Sequence, residues 1–144
     1  MKPTTRLSGV IVAMHVATGA LLGAAAGDRA AAAVGGLALH AAGDAVPHED
    51  FDSLRLETGL GLGLLAALAI RRGFTDPAVI GAAFSAAPDL EHVLPRPGHG
   101  RPKLFPSHRL DGWHRSGGIS APLQLAASLV IVGALSRNRL KGQA

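Results

Sequence analysis

Apolar residues fall into five stretches along this chain, separated by short charged or turn-forming segments. The first, 7–27 (LSGVIVAMHVATGALLGAAAG), carries no formal charge. At about 1.5 Å per helical residue it is long enough to cross roughly 30 Å of hydrocarbon. The second, 30–46, contains His40 and Asp44; the third, 58–70, is short; the fourth, 77–94, carries its acids at the end; the fifth, 119–135, is interrupted by Pro122 and Gln124. Asp28-Arg29, the segment 47–57 (PHEDFDSLRLE), Arg71 to Asp76 and the segment 95–118 stand between them. Pro95, Pro97, Gly98, Gly100, Pro102 and Pro106 make the last separator a loop.

This pattern predicts an all-α fold: a small membrane helix bundle of four to five apolar helices, with a long Pro/Gly/His-rich loop before the last helix. Residues 1–144 form a single helical membrane domain in this reading. The third and fourth stretches pair as a hairpin, which puts 47–57 and the 95–118 loop on the same side. The basic residues agree on an orientation only if the second stretch is re-entrant rather than spanning. Lys2 and Arg6 ahead of an apolar run ending in Ala24-Ala25-Ala26 also admit a cleaved signal peptide.

Composition narrows the chemistry. Hydrophobic residues make up 48% of 144, charged residues 17% and aromatic residues 3%, with mean hydropathy +0.29. Ala, Gly and Leu supply the apolarity, which suits close helix packing better than a bulky sandwich core. The absence of cysteine removes disulfides and thiolate ligands, so a metal must be held by imidazole and carboxylate. The net charge of +4 sits between the apolar stretches, without a nucleic-acid-binding motif or the aromatics needed to stack bases, so no nucleic-acid partner is expected.

Ionisable groups in apolar surroundings are costly and therefore candidates for function. In His40-Ala-Ala-Gly-Asp44 the four-residue spacing puts both side chains on one helix face. They can share one ion, or Asp44 can orient His40, or the two can form a plain buried hydrogen bond. Pro47 stops that helix and leaves His48 in a polar turn, as a bystander. Pro88-Asp89-Leu90-Glu91-His92 places two carboxylates and an imidazole at the end of an apolar run. Asp89 and His92 share a face if the helix continues, whereas Glu91 joins them only if it has ended. The segment from Ser107 to Ser116 brings His108, His114, Arg109, Arg115 and Trp113 together in a loop, where rigid scaffolds commonly present ligands. His15 lies mid-stretch on a small-residue face (Ala13, Ala17, Gly19, Ala20), and His99, between glycines, is read as solvated.

Met14-His15 with Gly19 and Gly23, the run Gly81 to His92 ending in Pro-Asp-Leu-Glu-His, and His108-Arg109 through His114 resemble, in the same order, the membrane-bound metal-dependent hydrolase family. That pattern runs Thr-His, then Pro-Asp-x-Asp-His, then His-Arg-Gly-x-Thr-His-Ser. Met14 stands for Thr, Glu91 for the second Asp, and the last motif has an extra residue between its histidines and Arg115 before Ser116. A shorter similarity links HAAGD and Pro47-His48 to zinc-dependent phospholipase C. The resemblance implies an integral protein of a bacterial-type inner (cytoplasmic) membrane. His15, His40, Asp44, Asp89, His92, His108 and His114 would hold one or two divalent ions, with Glu91 as candidate general base. Zinc suits the imidazole count; manganese or iron suits a more carboxylate-rich site. Arg109 and Arg115 would position an anionic group, the substrate being an ester or phosphoester, lipid-like by location, and membrane lipid the partner. Two other readings compete: a noncatalytic membrane protein with a His/Asp ion or proton pathway, and a soluble zinc phospholipase-like helical domain. A pathway spreads its polar groups over several depths, whereas a hydrolase gathers them.

Overall fold

The computed structural model describes residues 10–94, 103–115 and 117–141, and these fold into five α-helices. They are α1 (Val12–Ala26), α2 (Arg29–Asp44), α3 (Leu54–Arg72), α4 (Pro77–Ala86) and α5 (Ala121–Lys141). Local chemistry sets their starts. Asp28 accepts from the Ala31 N–H to cap α2, Ser53 accepts from Leu56 N–H to cap α3, and Asp76 accepts from Ala78 N–H ahead of Pro77 to cap α4. Gly27, at φ 66°, takes the left-handed conformation that ends α1 and turns the chain into α2.

The all-helical expectation holds, but its membrane setting does not: no helix among the described residues is long and apolar enough to cross a membrane. At 15, 16 and 10 residues, helices α1, α2 and α4 fall short of the ~20 residues a span requires. The 19-residue α3 opens with Arg55 and Glu57 and closes with Arg71 and Arg72, while Gln124, Ser128, Ser136 and a basic end dilute the 21-residue α5. The expected transmembrane helices and integral inner-membrane location are therefore corrected. The apolarity of the first stretch has a different cause. Helix α1 touches all four of the others and buries Val12, Ala13, Val16, Ala17 and Ala20, so it is apolar because it is the centre of the bundle.

Small residues set the spacing. A Cβ on Gly19 would lie 2.4 Å from the Gly81 carbonyl oxygen, and one on Gly81 would lie 2.3 Å from that of Gly19. Backbones therefore meet where α1 crosses α4, and α2 packs against both. The core continues through Val12, Val16, Ala20, Leu68, Val79, Ala82 and Val132, while Ile11, Ala13 and Ala121 form a second apolar group.

The fourth apolar stretch is not one helix. Pro88 has no N–H to continue the α ladder, and Ala87–His92 tightens into a 3-10 turn. Residues Pro106–His108 form another such turn in the loop before α5. The 47–57 segment and that loop do lie together: Glu49 N–H donates to the Ile119 carbonyl (2.9 Å), Ile119 N–H to Pro47 (3.3 Å), and the Gln124 amide to Glu49 (2.9 Å). This end of the bundle receives the C-terminus of α2, the turn after α4 and the loop.

Candidate metal centre

Each polar side chain reaches this end for a local reason. His40 and Asp44 project from the last turn of α2, one turn apart, and both are fully buried. His15 comes from the first half of α1, with its ring against α2; a Cβ on Gly43 would meet His15 Cε1 at 2.9 Å, so the glycine makes room for the imidazole. The turn at Pro88 delivers Asp89. Pro106 opens the short turn that presents Ser107 and His108. Trp113 donates its indole N–H to the Ala41 carbonyl (2.8 Å), tying the loop to α2 beside His114.

Four imidazoles and two carboxylates converge. His40 Nε2 lies 3.1 Å from Asp44 Oδ2, 3.1 Å from His108 Nε2 and 4.0 Å from Asp89 Oδ1. His108 Nε2 is 3.4 Å from Asp44 Oδ2 and 3.8 Å from Asp89 Oδ1, and His114 Nε2 is 3.8 Å from Asp44 Oδ2. His15 Nε2 is 3.3 Å from Asp44 Oδ1 and 3.9 Å from Asp89 Oδ2. Three combinations, His15/His40/Asp44, His40/Asp89/His108 and Asp44/His108/His114, place one donor atom per residue within 4.8 Å of the others, as a shared metal ion requires.

Neighbouring acceptors fix which nitrogen faces inward. His40 Nδ1 is 2.8 Å from the Ser85 carbonyl and His108 Nδ1 meets the Glu91 carboxylate. Both partners accept only, so each Nδ1 carries a hydrogen, and the lone pair of the neutral form falls on the inward Nε2. Two lone pairs facing each other at 3.1 Å repel unless a cation or proton lies between them. Nitrogen ligands on a tetrahedral zinc at 2.0–2.1 Å stand roughly 3.3–3.4 Å apart, close to this separation. Ser107 donates to Asp44 Oδ2 (2.6 Å), and a second Glu91 oxygen accepts from Leu104 N–H (2.7 Å).

Several inward atoms lack a hydrogen-bond partner. His15 Nε2, Asp44 Oδ1 and Asp89 Oδ2 are buried and unpartnered, the distances to His15 being poorly aligned for hydrogen bonding. Each such atom costs about 1–3 kcal/mol when left unsatisfied, and all three lie together, His15 Nε2 being 3.3 Å and 3.9 Å from the other two. The donor set and these orphaned atoms fit a divalent ion.

No family model, curated protein or solved structure matches the chain. The site therefore rests on its own geometry.

Electrostatics agree with a site built for a cation. Burial lowers the His15 pKa to about 4 against the opposing pull of Asp44. Burial pushes Asp44 upward, but the close imidazoles of His108, His15 and His40 outweigh it and hold the carboxyl well below the usual range. Asp89 is raised well above its ordinary value, first by burial and then by the Asp44 charge. His114 is lowered, by burial first. A divalent ion would reverse the cost of placing two carboxylates together.

Not every expected residue faces the centre. The His92 ring lies tilted against His108, centroids 4.4 Å apart, and its Nδ1 accepts from Lys103 Nζ (3.0 Å); burial and Lys103 lower its pKa to about 4. Glu91 contacts the centre through His108. Arg109 and Arg115 are exposed on the loop. His99 lies outside the described residues. Sequence reasoning gave no role to the Ser85 carbonyl, Ser107 or Phe105, whose ring meets His40 edge-on at 5.0 Å. It also left His48 in a polar turn, whereas the side chain is buried, with Nε2 unpartnered. A serine directly before a candidate ligand was the available signal for Ser107; a backbone carbonyl inside an apolar run gives none.

Proposed function

We propose that the chain is a divalent-metal-dependent hydrolase that acts on an anionic ester, with phosphoesters as the favoured class. The observation that carries the reading is the pair of opposed Nε2 atoms of His40 and His108 beside Asp44 and Asp89, an arrangement suited to a cation. His40, His108, Asp44 and Asp89 would hold a divalent ion, which would supply a Lewis acid for a phosphoryl or acyl oxygen and a water of lowered pKa. Zinc is the first expectation from four imidazoles, and manganese the second.

The remaining groups divide the work. Ser85 and Glu91 hold the His40 and His108 rings in the tautomer that presents Nε2, and Ser107 fixes Asp44. Arg109 and Arg115 stand on the loop that carries His108 and His114, where charge-assisted hydrogen bonds can receive an anion. The lipid-like substrate expected from location loses its ground with the spanning helices. Convergence within a few ångströms favours this reading over an ion pathway, which would distribute its groups along an axis.

Purified chain, stripped with a chelator and reloaded with zinc or manganese, tests the proposal. We expect bound metal and metal-dependent release of nitrophenol from p-nitrophenyl phosphate or bis(p-nitrophenyl) phosphate, falling at least ~100-fold in His108→Ala and Asp89→Asn. Failure to retain metal, or a metal-loaded chain inert towards both phosphoesters and p-nitrophenyl butyrate, would overturn it.

A further inference from the structure

The two carboxylates divide their oxygens between the histidines in a consistent way. His40, His108 and His114 all meet Asp44 through Oδ2, and His40 and His108 both meet Asp89 through Oδ1. His15 alone meets the opposite atoms, Asp44 Oδ1 and Asp89 Oδ2. Four imidazole nitrogens and four carboxylate oxygens thus face one cavity in two sets, more donors than the four or six that a single zinc or manganese ion takes.

The two sets differ in how they are satisfied. Asp44 Oδ2 already accepts a hydrogen bond from Ser107, and His40 and His108 are oriented from behind by Ser85 and Glu91. All three atoms of the other set, His15 Nε2, Asp44 Oδ1 and Asp89 Oδ2, are buried with no hydrogen-bond partner, as in the first set only His114 Nδ1 is, and the His15 side chain is 1% exposed. Three unpartnered ligand atoms from three different helical segments thus lie together, His15 Nε2 being within 3.3 Å and 3.9 Å of the two carboxylate oxygens.

Building on the metal-centre reading above, we infer that the cavity takes two divalent ions bridged by Asp44 and Asp89: one on His40, His108 and His114, the other on His15. Carboxylates that present one oxygen to each side suit ions about 3.5–4 Å apart, the spacing of two-metal phosphoester hydrolases. The second ion has one imidazole and two carboxylate oxygens, and so keeps coordination positions for water and substrate. Buried His48 also carries an unpartnered Nε2 and is within electrostatic reach of both His15 and His114. Two dications against two bridging carboxylates leave an excess of positive charge, which selects a phosphomonoester or phosphodiester over a neutral carboxylic ester.

Metal stoichiometry and spin coupling test this independently of turnover. Stripped chain is equilibrated with excess manganese, desalted, counted by mass spectrometry, and examined by electron paramagnetic resonance. We expect two manganese ions per chain with an exchange-coupled spectrum. His15→Gln should hold one ion with an isolated spectrum, and Gly43→Ala, which pushes the His15 ring aside without removing a ligand, should weaken only the second equivalent. One uncoupled ion in the wild type, or loss of both ions in a His15→Gln chain with unchanged helicity, would overturn the two-ion assignment while leaving a single-metal centre standing. No bound metal would overturn both readings. Should His15→Gln fail to fold, the wild-type count and spectrum decide by themselves.

Discussion

Helices α1 and α4 meet in two ways that could hardly differ more. At Gly19 and Gly81 the backbones touch, and an added methyl would fall 2.3–2.4 Å from a carbonyl oxygen. One turn earlier on α1, and just past the end of α4, His15 and Asp89 approach to 3.9 Å with unpartnered polar atoms between them. The first region accepts no further atom; the second holds buried ligand atoms that one further atom could join. The close crossing fixes α4, and so the turn after it that carries Asp89, beside α1.

The comparison is most exposed to a larger side chain at the crossing. Gly81→Val should cost 4 kcal/mol or more and abolish a cooperative helical melt; a variant that melts like the wild type would show that the crossing is loose. At the polar end, Glu57 is buried near Asp50 and its pKa is raised to about 7 by burial first and that charge second. The folded state therefore binds more protons than the unfolded between pH 4.5 and 7, and stability falls by about 3 kcal/mol across that window. His15, lowered to about 4, has the opposite slope between about pH 4 and its unfolded value of 6.5. The difference between wild type and Glu57→Gln in denaturant titrations at pH 4.5 and 8 isolates the glutamate, and an identical pH profile in the two would refute it.

Smaller effects sharpen the polar side. Glu91→Ala removes the carboxylate behind His108 and should weaken metal binding roughly 10- to 100-fold with the helices intact. Competition against a chromophoric chelator measures this, and an unchanged affinity would deny Glu91 its orienting role. Trp113→Phe deletes the hydrogen bond to Ala41 and should cost about 1 kcal/mol. A chemical denaturation midpoint reads that loss, and no shift would mean that the loop is held by other contacts.

The amino-acid pattern predicts four to five helices, and five stand among the described residues; it also predicts most of the side chains that the fold gathers, but its membrane setting was wrong. His40 and Asp44 were legible because a four-residue spacing has only one meaning on a helix, and Asp89 because Pro88 ends an apolar run with an acid. His108 and His114 followed from a loop too rich in proline and glycine to be helical. The first stretch was misread for a physical reason: a helix surrounded by protein and one surrounded by lipid need the same residues, and only its four helical neighbours distinguish them. His92 and Glu91 could not be separated from Asp89, since their directions depend on a 3-10 turn rather than an α turn. The proximity of Gly43 to His15 depends on how α1 and α2 cross, which no local spacing encodes.

The residues around the cavity come from positions 15, 40, 44, 89, 108 and 114. Any ion they share is therefore a reversible cross-link that closes loops spanning most of the described chain, and it exists only when the chain is folded. Folding and metal binding then become one equilibrium, in which free metal at 1,000 times its dissociation constant adds about 4 kcal/mol. With such an ion bound, the melting temperature of this small bundle would report metal concentration, and a chelator would act as a denaturant.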